Sequence, residues 1–342
     1  YNNGVMCLRC TLMGFERNYQ VKIPSKQINK RNYTSIATPQ SQYLIICPWF
    51  LTGFVDGEGS FLINIYRNKE YKTGWCVQAM FQIGLHQKDE ALLKNIQSYF
   101  GVGGIFKQGS ESIKYVVGSR NDLEVIINHF EKYCLITQKS SDFLLFKQGY
   151  EIIKTNKHLT TEGLEKLVAI KGSLNLGLSP ELKSAFPNIL PVPRPSVVDQ
   201  EIKDPNWLAG FTDAEGCFGV KIKKSNTHKI GYQVVLVFQL TQHTRDIELM
   251  QSLRNFLGCG KVVKRPGGLE ACDFIVNSIK SLDEKIIPFF ENYELLGVKS
   301  KDFEDFCKVV NLMEKKAHLT QEGLEEIRKI KSGMNTGREL NV

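Results

Sequence analysis

FVDGEGSF occupies residues 54–61 and FTDAEGCF residues 211–218, so one acidic, glycine-bounded word occurs twice, 157 residues apart. The first copy carries Asp56 and Glu58, the second Asp213 and Glu215. Gly53 and Gly57 stand four apart in the first copy, and Gly210 and Ala214 hold the same places in the second. Small residues at i and i+4 lie on one helix face and let two backbones approach closely, because no side chain holds them apart. Two such helices packed together aim Glu58 and Glu215 at one place. Carboxylates meeting at helix C-termini repel each other and also face the negative ends of two dipoles. A cation between them relieves both effects, and hard divalent ions with oxygen ligands, chiefly Mg²⁺, fit. One shared ion or two could activate a water and stabilise the leaving oxygen of a phosphodiester. A lone copy would read more simply as a glutamate capping a turn before a strand. Matched copies on small-residue helices favour the paired site.

The elements that must position this pair are also duplicated. WFLTGFVDGEGSF (49–61) matches WLAGFTDAEGCF (207–218) with one residue skipped. FQIGLHQKDEALLKNIQSYFGVG matches FQLTQHTRDIELMQSLRNFLGCG at the same offset of 157. Further on, EKYCLITQKSSDF pairs with ENYELLGVKSKDF, and HLTTEGLEKLVAIKGSLNLG with HLTQEGLEEIRKIKSGMNTG, at an offset of 160. One three-residue length change over so long a match indicates a duplicated domain, not a solenoid of short units. Residues 48–177 form the first copy and 205–342 the second.

Periodicity sets the elements of each copy. Pro48 and Pro205 suit a first helical turn, with Asp204 available as N-cap. Phe61, Ile63 and Ile65 alternate with Ser60, Asn64 and Tyr66, the pattern of a half-buried strand. CVQAMFQIGL continues as a second strand, DEALLKNIQSYF as an amphipathic helix, and GGIFKQ with IKYVVGS as a further strand pair. Helices near 122–133, 140–155 and 161–171 close the unit. The fold class is therefore α+β: two αββαββα half-domains, each with an antiparallel sheet covered on one face.

The rest of the chain bounds the reading. Between the copies, residues 178–204 hold five prolines and Pro205 follows directly, which reads as a stiff, extended connector. Residues 1–47 have no partner in the repeat and carry six Lys/Arg against a single acid, Glu16. They read as a basic, surface-wrapping or mobile leader, a transit segment or the remnant of an upstream reading frame. Net charge is +8, a moderate bias towards polyanions. No apolar run approaches the roughly 18 residues of a membrane span, so no membrane partner is expected. Nine scattered cysteines argue for a reducing compartment and against a disulfide framework. Cys7-Leu-Arg-Cys10 has no second pair at zinc spacing and reads as chance within the leader. His86 and His243 match across the repeat at the start of a helix, where capping or packing suits them better than metal binding. No phosphate loop or G-x-S-x-G is present, which excludes the commonest nucleotide-hydrolysing and serine-nucleophile designs.

LTGFVDGEG and LAGFTDAEG, with the strand pattern and the closing LT-EGLE helices, resemble the two motifs of a single-chain LAGLIDADG homing endonuclease of the fungal mitochondrial, intron-encoded type. The likeness covers residues 48–337. It implies two pseudo-twofold-related halves joined at the paired motif helices, each presenting a saddle-like sheet to double-stranded DNA. It implies that Glu58 and Glu215 are catalytic metal ligands, with backbone carbonyls of Gly57 and Ala214 completing the shell. Asp56 and Asp213 are then expected to shape the helix ends by hydrogen bonding. Lys139 and Lys299, which match across the repeat, and Gln242 are implied catalytic residues around the waters. The counterpart of Gln242 is Leu85, so unequal half-sites are expected. The implied cofactor is Mg²⁺, with Mn²⁺ substituting and Ca²⁺ binding without cleavage.

By parity with Phe61, Ile63 and Phe81 in the core, the implied DNA contacts of the first half are Ser60, Asn64, Tyr66, Asn68, Lys72, Gln78, Gln82, Gln108 and Lys114. Those of the second are Lys221, Lys223, Gln233, Gln239, Lys261, Arg265, Asp273 and Asn277. Such side chains on a two-stranded ribbon can read base edges in the major groove. The implied protein is a monomer of the mitochondrial matrix that cuts a long asymmetric site and leaves short 3′ overhangs. The alternative is an intron maturase on the same scaffold, binding intron RNA without cutting. Retention of both glutamates favours cleavage.

Overall fold

Pro48 and Pro205 each open an 11-residue helix, α1 (Pro48–Glu58) and α7 (Pro205–Glu215), where a missing N–H costs nothing. Asp204 caps α7 by accepting from the Asn206 amide at 2.8 Å. Both helices end on the motif glutamate, and a strand begins at the next residue. The computed structural model describes residues 45–197, 200–267 and 269–338. Most of the leader expected over 1–47, with Cys7 and Cys10, lies outside the described residues. Within its last residues, Ile46 is buried against the first core.

The first half runs α1, β1 (Gly59–Arg67), β2 (Trp75–His86), α2 (Glu90–Phe100), β3 (Gly104–Lys107), β4 (Ser112–Val117), α3 (Arg120–Lys132), α4 (Lys139–Lys154) and α5 (Thr161–Ser173). A short helix, α6 (Pro180–Ala185), follows in the connector. The second half runs α7, β5 (Gly216–Lys224), β6 (Tyr232–His243), α8 (Ile247–Leu257), β7 (Lys261–Lys264), β8 (Ala271–Val276), α9 (Ile279–Ser281), α10 (Ile287–Asn292), α11 (Lys299–Glu314) and α12 (Gln321–Ser332). Each half holds a four-stranded antiparallel sheet, in the order β1-β2-β4-β3 or β5-β6-β8-β7. Register agrees between them: Phe61 faces Phe81 and Phe218 faces Phe238. Those rings lie 5.2 Å apart in both halves and anchor equivalent aromatic cores with Phe130 and Phe146, or Phe290 and Phe306. Alternating burial along β1 and β2 leaves the opposite sheet face uncovered by helices, as a period of two requires.

Two departures from the expected elements have physical causes. The helix matching α3 is interrupted in the second half by a π-helical turn at Leu282–Ile286, just before Pro288. Proline cannot donate the intrahelical bond, so the chain absorbs an extra residue upstream. The connector is not uniformly extended, because Ser179 caps α6 and Pro180 occupies its first turn. Beyond it the chain is pinned to the first half: the Val192 amide donates to Ala169 O at 3.1 Å, and Arg194 bonds both Asp142 oxygens at 2.9 and 2.8 Å.

The halves meet at α1 and α7. A Cβ on Gly53 would lie 1.9 Å from Trp207 O, and one on Gly210 would lie 1.9 Å from Phe50 O. Trp207 Nε1 donates to Asp56 Oδ2 at 2.8 Å across the joint. Gly53→Ala is therefore expected to cost at least the ~1–3 kcal/mol of an overpacked core, measured by urea unfolding. Gly74→Ala, at φ +74 in open space, carries only backbone strain of about 1 kcal/mol.

Candidate active site and sheet faces

Glu58 and Glu215 end helices whose last turns touch: a Cβ on Gly57 would lie 2.3 Å from the Ala214 Cβ and 3.1 Å from the Glu215 Cγ. Both glutamates are half-buried. Burial, and then the negative charge of Glu58, push the Glu215 carboxyl up to about 7. Lys139, Lys299 and a hydrogen bond from Gln242 oppose that rise. The structure thus brings together Glu58, Glu215, both lysines and Gln242. Leu85, opposite Gln242 in the repeat, is a buried apolar side chain, so the two sides of the pair are chemically unlike.

Each lysine opens the helix after a loop and reaches back to the end of its own motif helix. Lys139 Nζ donates to Val55 O at 2.9 Å and Gly57 O at 2.7 Å. Lys299 Nζ donates to Thr212 O and Ala214 O, both at 3.1 Å. The ammonium groups thereby satisfy carbonyls at the negative ends of the two helix dipoles. Lys139 is only 8 % exposed. Its burial lowers the ammonium pKa, while Asp56, Glu215, Glu58 and Asp142 pull it back.

Asp56 and Asp213 do more than shape their own helix ends. Asp56 accepts from the Ile136 and Thr137 amides at 3.1 and 3.2 Å and from Thr137 Oγ1 at 2.5 Å. Asp213 accepts from the Leu296 and Gly297 amides at 2.8 and 2.6 Å. Both tie down the loop that delivers the lysine. Burial raises both carboxyls, against these hydrogen bonds and the nearby lysine charge. His86 and His243 act as caps, with Nδ1 accepting from Lys88 and Arg245 amides at 3.2 Å.

Among the described residues no group of three or more His, Cys, Asp or Glu is arranged around a metal site. The donors at the helix joint are two carboxylates and the Gly57 and Ala214 carbonyls, each of which already takes a lysine hydrogen bond and keeps its second lone pair. This sparse oxygen set suits a hard divalent ion that retains waters and draws remaining ligands from a substrate. The upward push of Glu58 on Glu215 is the repulsion such an ion removes.

The expected sheet-face residues do lie together. Ser60 pairs with Gln82, Asn64 with Gln78, and Lys114 with Gly84, all on the uncovered face of the first sheet. Tyr66 follows on the same face, Gln108 closes the β3–β4 hairpin, and Lys72 is exposed at the β1–β2 turn. Asn68 spends its carbonyl inside that turn, accepting from the Glu70 amide at 2.9 Å. In the second half Lys221, Lys223, Gln233, Gln239 and Lys261 share the uncovered face, and Asn277 is exposed just past β8. Asp273 faces outward but is already engaged: Arg265 Nε and Nη2 bond its two oxygens at 2.8 Å, and Thr241 Oγ1 bonds Oδ1 at 2.7 Å. Burial would raise its carboxyl, yet the hydrogen bonds from Arg265 and Thr241 hold it below the usual range. Asp273 therefore orients Arg265 instead of offering a free acceptor, and Thr241 joins the cluster unforeseen. Leu62, Met80, Phe106 and Val116 also lie on the uncovered face, apolar positions that a search for polar readers passes over.

Asp89 and Asp246 join the site too, at matching positions in HQKD and HTRD that carry no local signal of it. Their partners lie 209 and 108 residues away in sequence, so only the fold reveals their role.

The duplicated fold with two acidic helix ends at its joint is that of the LAGLIDADG endonucleases. That family's profile matches residues 51–150 and 208–310, and the chain belongs to it. Probable intron-encoded endonuclease 3 of Neurospora crassa is 40% identical over 340 residues, covering 94% of this chain and 63% of the relative. Probable intron-encoded endonuclease 2 of the same fungus is 38% identical, covering 90% and 70%. The chain thus spans just under two thirds of the first relative's length. The I-SmaMI LAGLIDADG homing endonuclease bound to cleaved DNA superposes with a TM-score of 0.84 at 46% identity, covering 86% of this chain and 98% of that one. The same enzyme bound to uncleaved DNA target in the presence of calcium ions gives 0.83 at 46% identity. No helix among the described residues is long and apolar enough to cross a membrane.

Glu215 carries a sign that can be tested. Its folded pKa of about 7 exceeds the ordinary 4.5, so its contribution to stability is complete below that lower value and is lost as pH rises through 7. Asp246, also raised to about 7, chiefly by burial, acts in the same direction. Without divalent ions, Tm should therefore fall between about pH 5 and 7.5, and Glu215→Gln should flatten part of that fall. A divalent cation should raise Tm near pH 7.5 and scarcely at pH 5; equal effects at both would contradict the shared-carboxylate site.

Proposed function

We propose that this chain is a site-specific double-strand DNA endonuclease. It binds a long asymmetric duplex, hydrolyses one phosphodiester in each strand and leaves short 3′ overhangs. The observation that carries this reading is the meeting of Glu58 and Glu215 at a backbone-contact joint, between two sheets whose polar faces are open. The structures of I-SmaMI with cleaved DNA and with calcium ions support it. Both motif helices belong to one chain, so a monomer suffices. The relatives are named as intron-encoded proteins of fungi, and the matrix of the mitochondrion is the proposed site of action.

Glu58 and Glu215 hold the divalent ion, Mg²⁺ in the cell, with the Gly57 and Ala214 carbonyls beside it. Mn²⁺ substitutes, and Ca²⁺ binds without supporting cleavage. The bound ion supplies polarisation of the scissile phosphate and a lowered pKa for the attacking water. Lys139 and Lys299 offset the carboxylate charge and fix the helix ends. Gln242 orients Glu215 through its hydrogen bond. Lys221, Lys223, Lys261 and Arg265 concentrate positive charge on the second sheet, where phosphate and guanine contacts are made.

The test is digestion of a randomised duplex library, with sequencing of cut ends, in Mg²⁺ and in Ca²⁺. A single long site cut with fixed stagger in Mg²⁺ only is expected. Glu58→Gln and Glu215→Gln should each reduce cleavage by more than about 100-fold, since even residues one bond removed from a metal cost roughly 10–100-fold. If no duplex is bound or cut, while a structured intron RNA is held tightly, the maturase reading replaces this one. Gln242→Leu, which copies the Leu85 side, should slow one strand's cut by about tenfold, the loss of one charged hydrogen bond, and leave the other near wild type.

A further inference from the structure

We infer that Asp89 and Asp246 are crossed positioning residues, each seating the lysine of the opposite half. Asp89 lies between β2 and α2 of the first half, yet its Oδ1 accepts from the Val298 amide of the second half at 2.8 Å. Asp246 lies at the matching place in the second half, and its Oδ1 accepts from the Gln138 amide of the first half at 3.0 Å. Val298 and Gln138 are the residues immediately before Lys299 and Lys139.

Each lysine loop is therefore held at two points. The motif-helix aspartate of its own half takes the amides two and three residues before the lysine. The aspartate of the other half takes the amide one residue before it. With both clips closed, each side chain leaves its loop towards the carbonyls at the end of its motif helix. The same geometry recurs in both halves, with Asp89 and Asp246 157 residues apart. The first loop has an additional brace from the connector: Gln200 Nε2 donates to Ile136 O at 3.0 Å and to Asp246 Oδ1 at 3.3 Å. An amide–carboxylate bond is among the stronger neutral-donor hydrogen bonds; the Asp246 bond is buried and the Asp89 bond partly so. A lysine would thus be seated only while the two halves are docked, which links each cutting centre to the integrity of the whole.

This inference rests on the nuclease reading only for its consequence in cleavage, so the first measurement is independent of activity. The full chain is treated briefly with acetic anhydride, and acetylation of Lys139 and Lys299 is quantified by peptide mass spectrometry. Asp246→Ala should raise Lys139 labelling by roughly tenfold, the equivalent of one lost charged hydrogen bond, and leave Lys299 within about twofold of wild type. Asp89→Ala should do the reverse. Asp246→Asn and Asp89→Asn, which keep a carbonyl acceptor, should stay near wild type. An equal rise at both lysines over wild type in either alanine variant, or a rise confined to the lysine of the same half, overturns the inference. If an alanine variant does not fold, Gln200→Ala, which removes the donor joining Asp246 to the Ile136 carbonyl, should raise Lys139 labelling alone; no rise, or an equal rise at Lys299, overturns the inference.

The second arm uses the duplex recovered from library digestion, labelled on one strand at a time. Each aspartate-to-alanine variant should slow one strand selectively, the same strand as Lys→Ala of the opposite half. Strand-selective lysine variants with unselective aspartate variants would remove the crossed seating and keep the nuclease. A wild-type protein that cuts nothing would remove the nuclease and keep the labelling result.

Discussion

Contact between the backbones of α1 and α7 is the constraint on which the rest of the molecule depends. Phe50 O and Trp207 O each sit where a side chain of the facing residue would begin, so the helices meet at two glycines and nothing larger is tolerated there. That approach brings two acidic helix ends together at a cost in repulsion. Much of the remaining architecture offsets it: lysine ammonium groups on the terminal carbonyls, aspartates that hold the lysine loops, and a tryptophan N–H on Asp56. The sheets follow directly from the helix ends, so the orientation of each open face is set by the same joint.

The two halves share a backbone plan and differ in chemistry where it counts. Gln242 serves Glu215, while Leu85 stands in its place on the other side. The first lysine loop is braced by Gln200 from the connector, and α3 is continuous where its counterpart carries a π-helical turn. Arg265 is fixed by Asp273 and Thr241 on the second sheet. On a pseudo-twofold frame with unlike faces, symmetry no longer forces the same contacts on both halves.

Local and periodic features were legible in the amino-acid sequence. The repeat announced the duplication, period-two alternation placed β1 and β2, and the i, i+4 small residues named the joint. Glu58, Glu215 and the paired lysines were visible because each has a counterpart at a constant offset. What escaped notice depended on contacts between distant segments. Asp89 and Asp246 also have matching positions, but nothing local distinguishes them from ordinary helix-start acids; their partners are amides of the other half. Parity gives the face of Asp273 but not its engagement by Arg265, since alternation sets direction and says nothing of neighbours. The interruption before Pro288 arises from one missing N–H, a small signal inside a strongly apolar pattern.

The proposed chemistry requires one divalent-ion site shared between two helix ends of a single chain. Its most direct test is a crystal of the protein with its recovered duplex and Mn²⁺, with anomalous difference maps collected at the manganese edge. Anomalous density is expected within roughly 2.0–2.4 Å of carboxylate oxygens from both Glu58 and Glu215, between the ends of α1 and α7. Manganese held by only one of these glutamates, or bound elsewhere on the DNA-facing surface while the strands are cut, would contradict it.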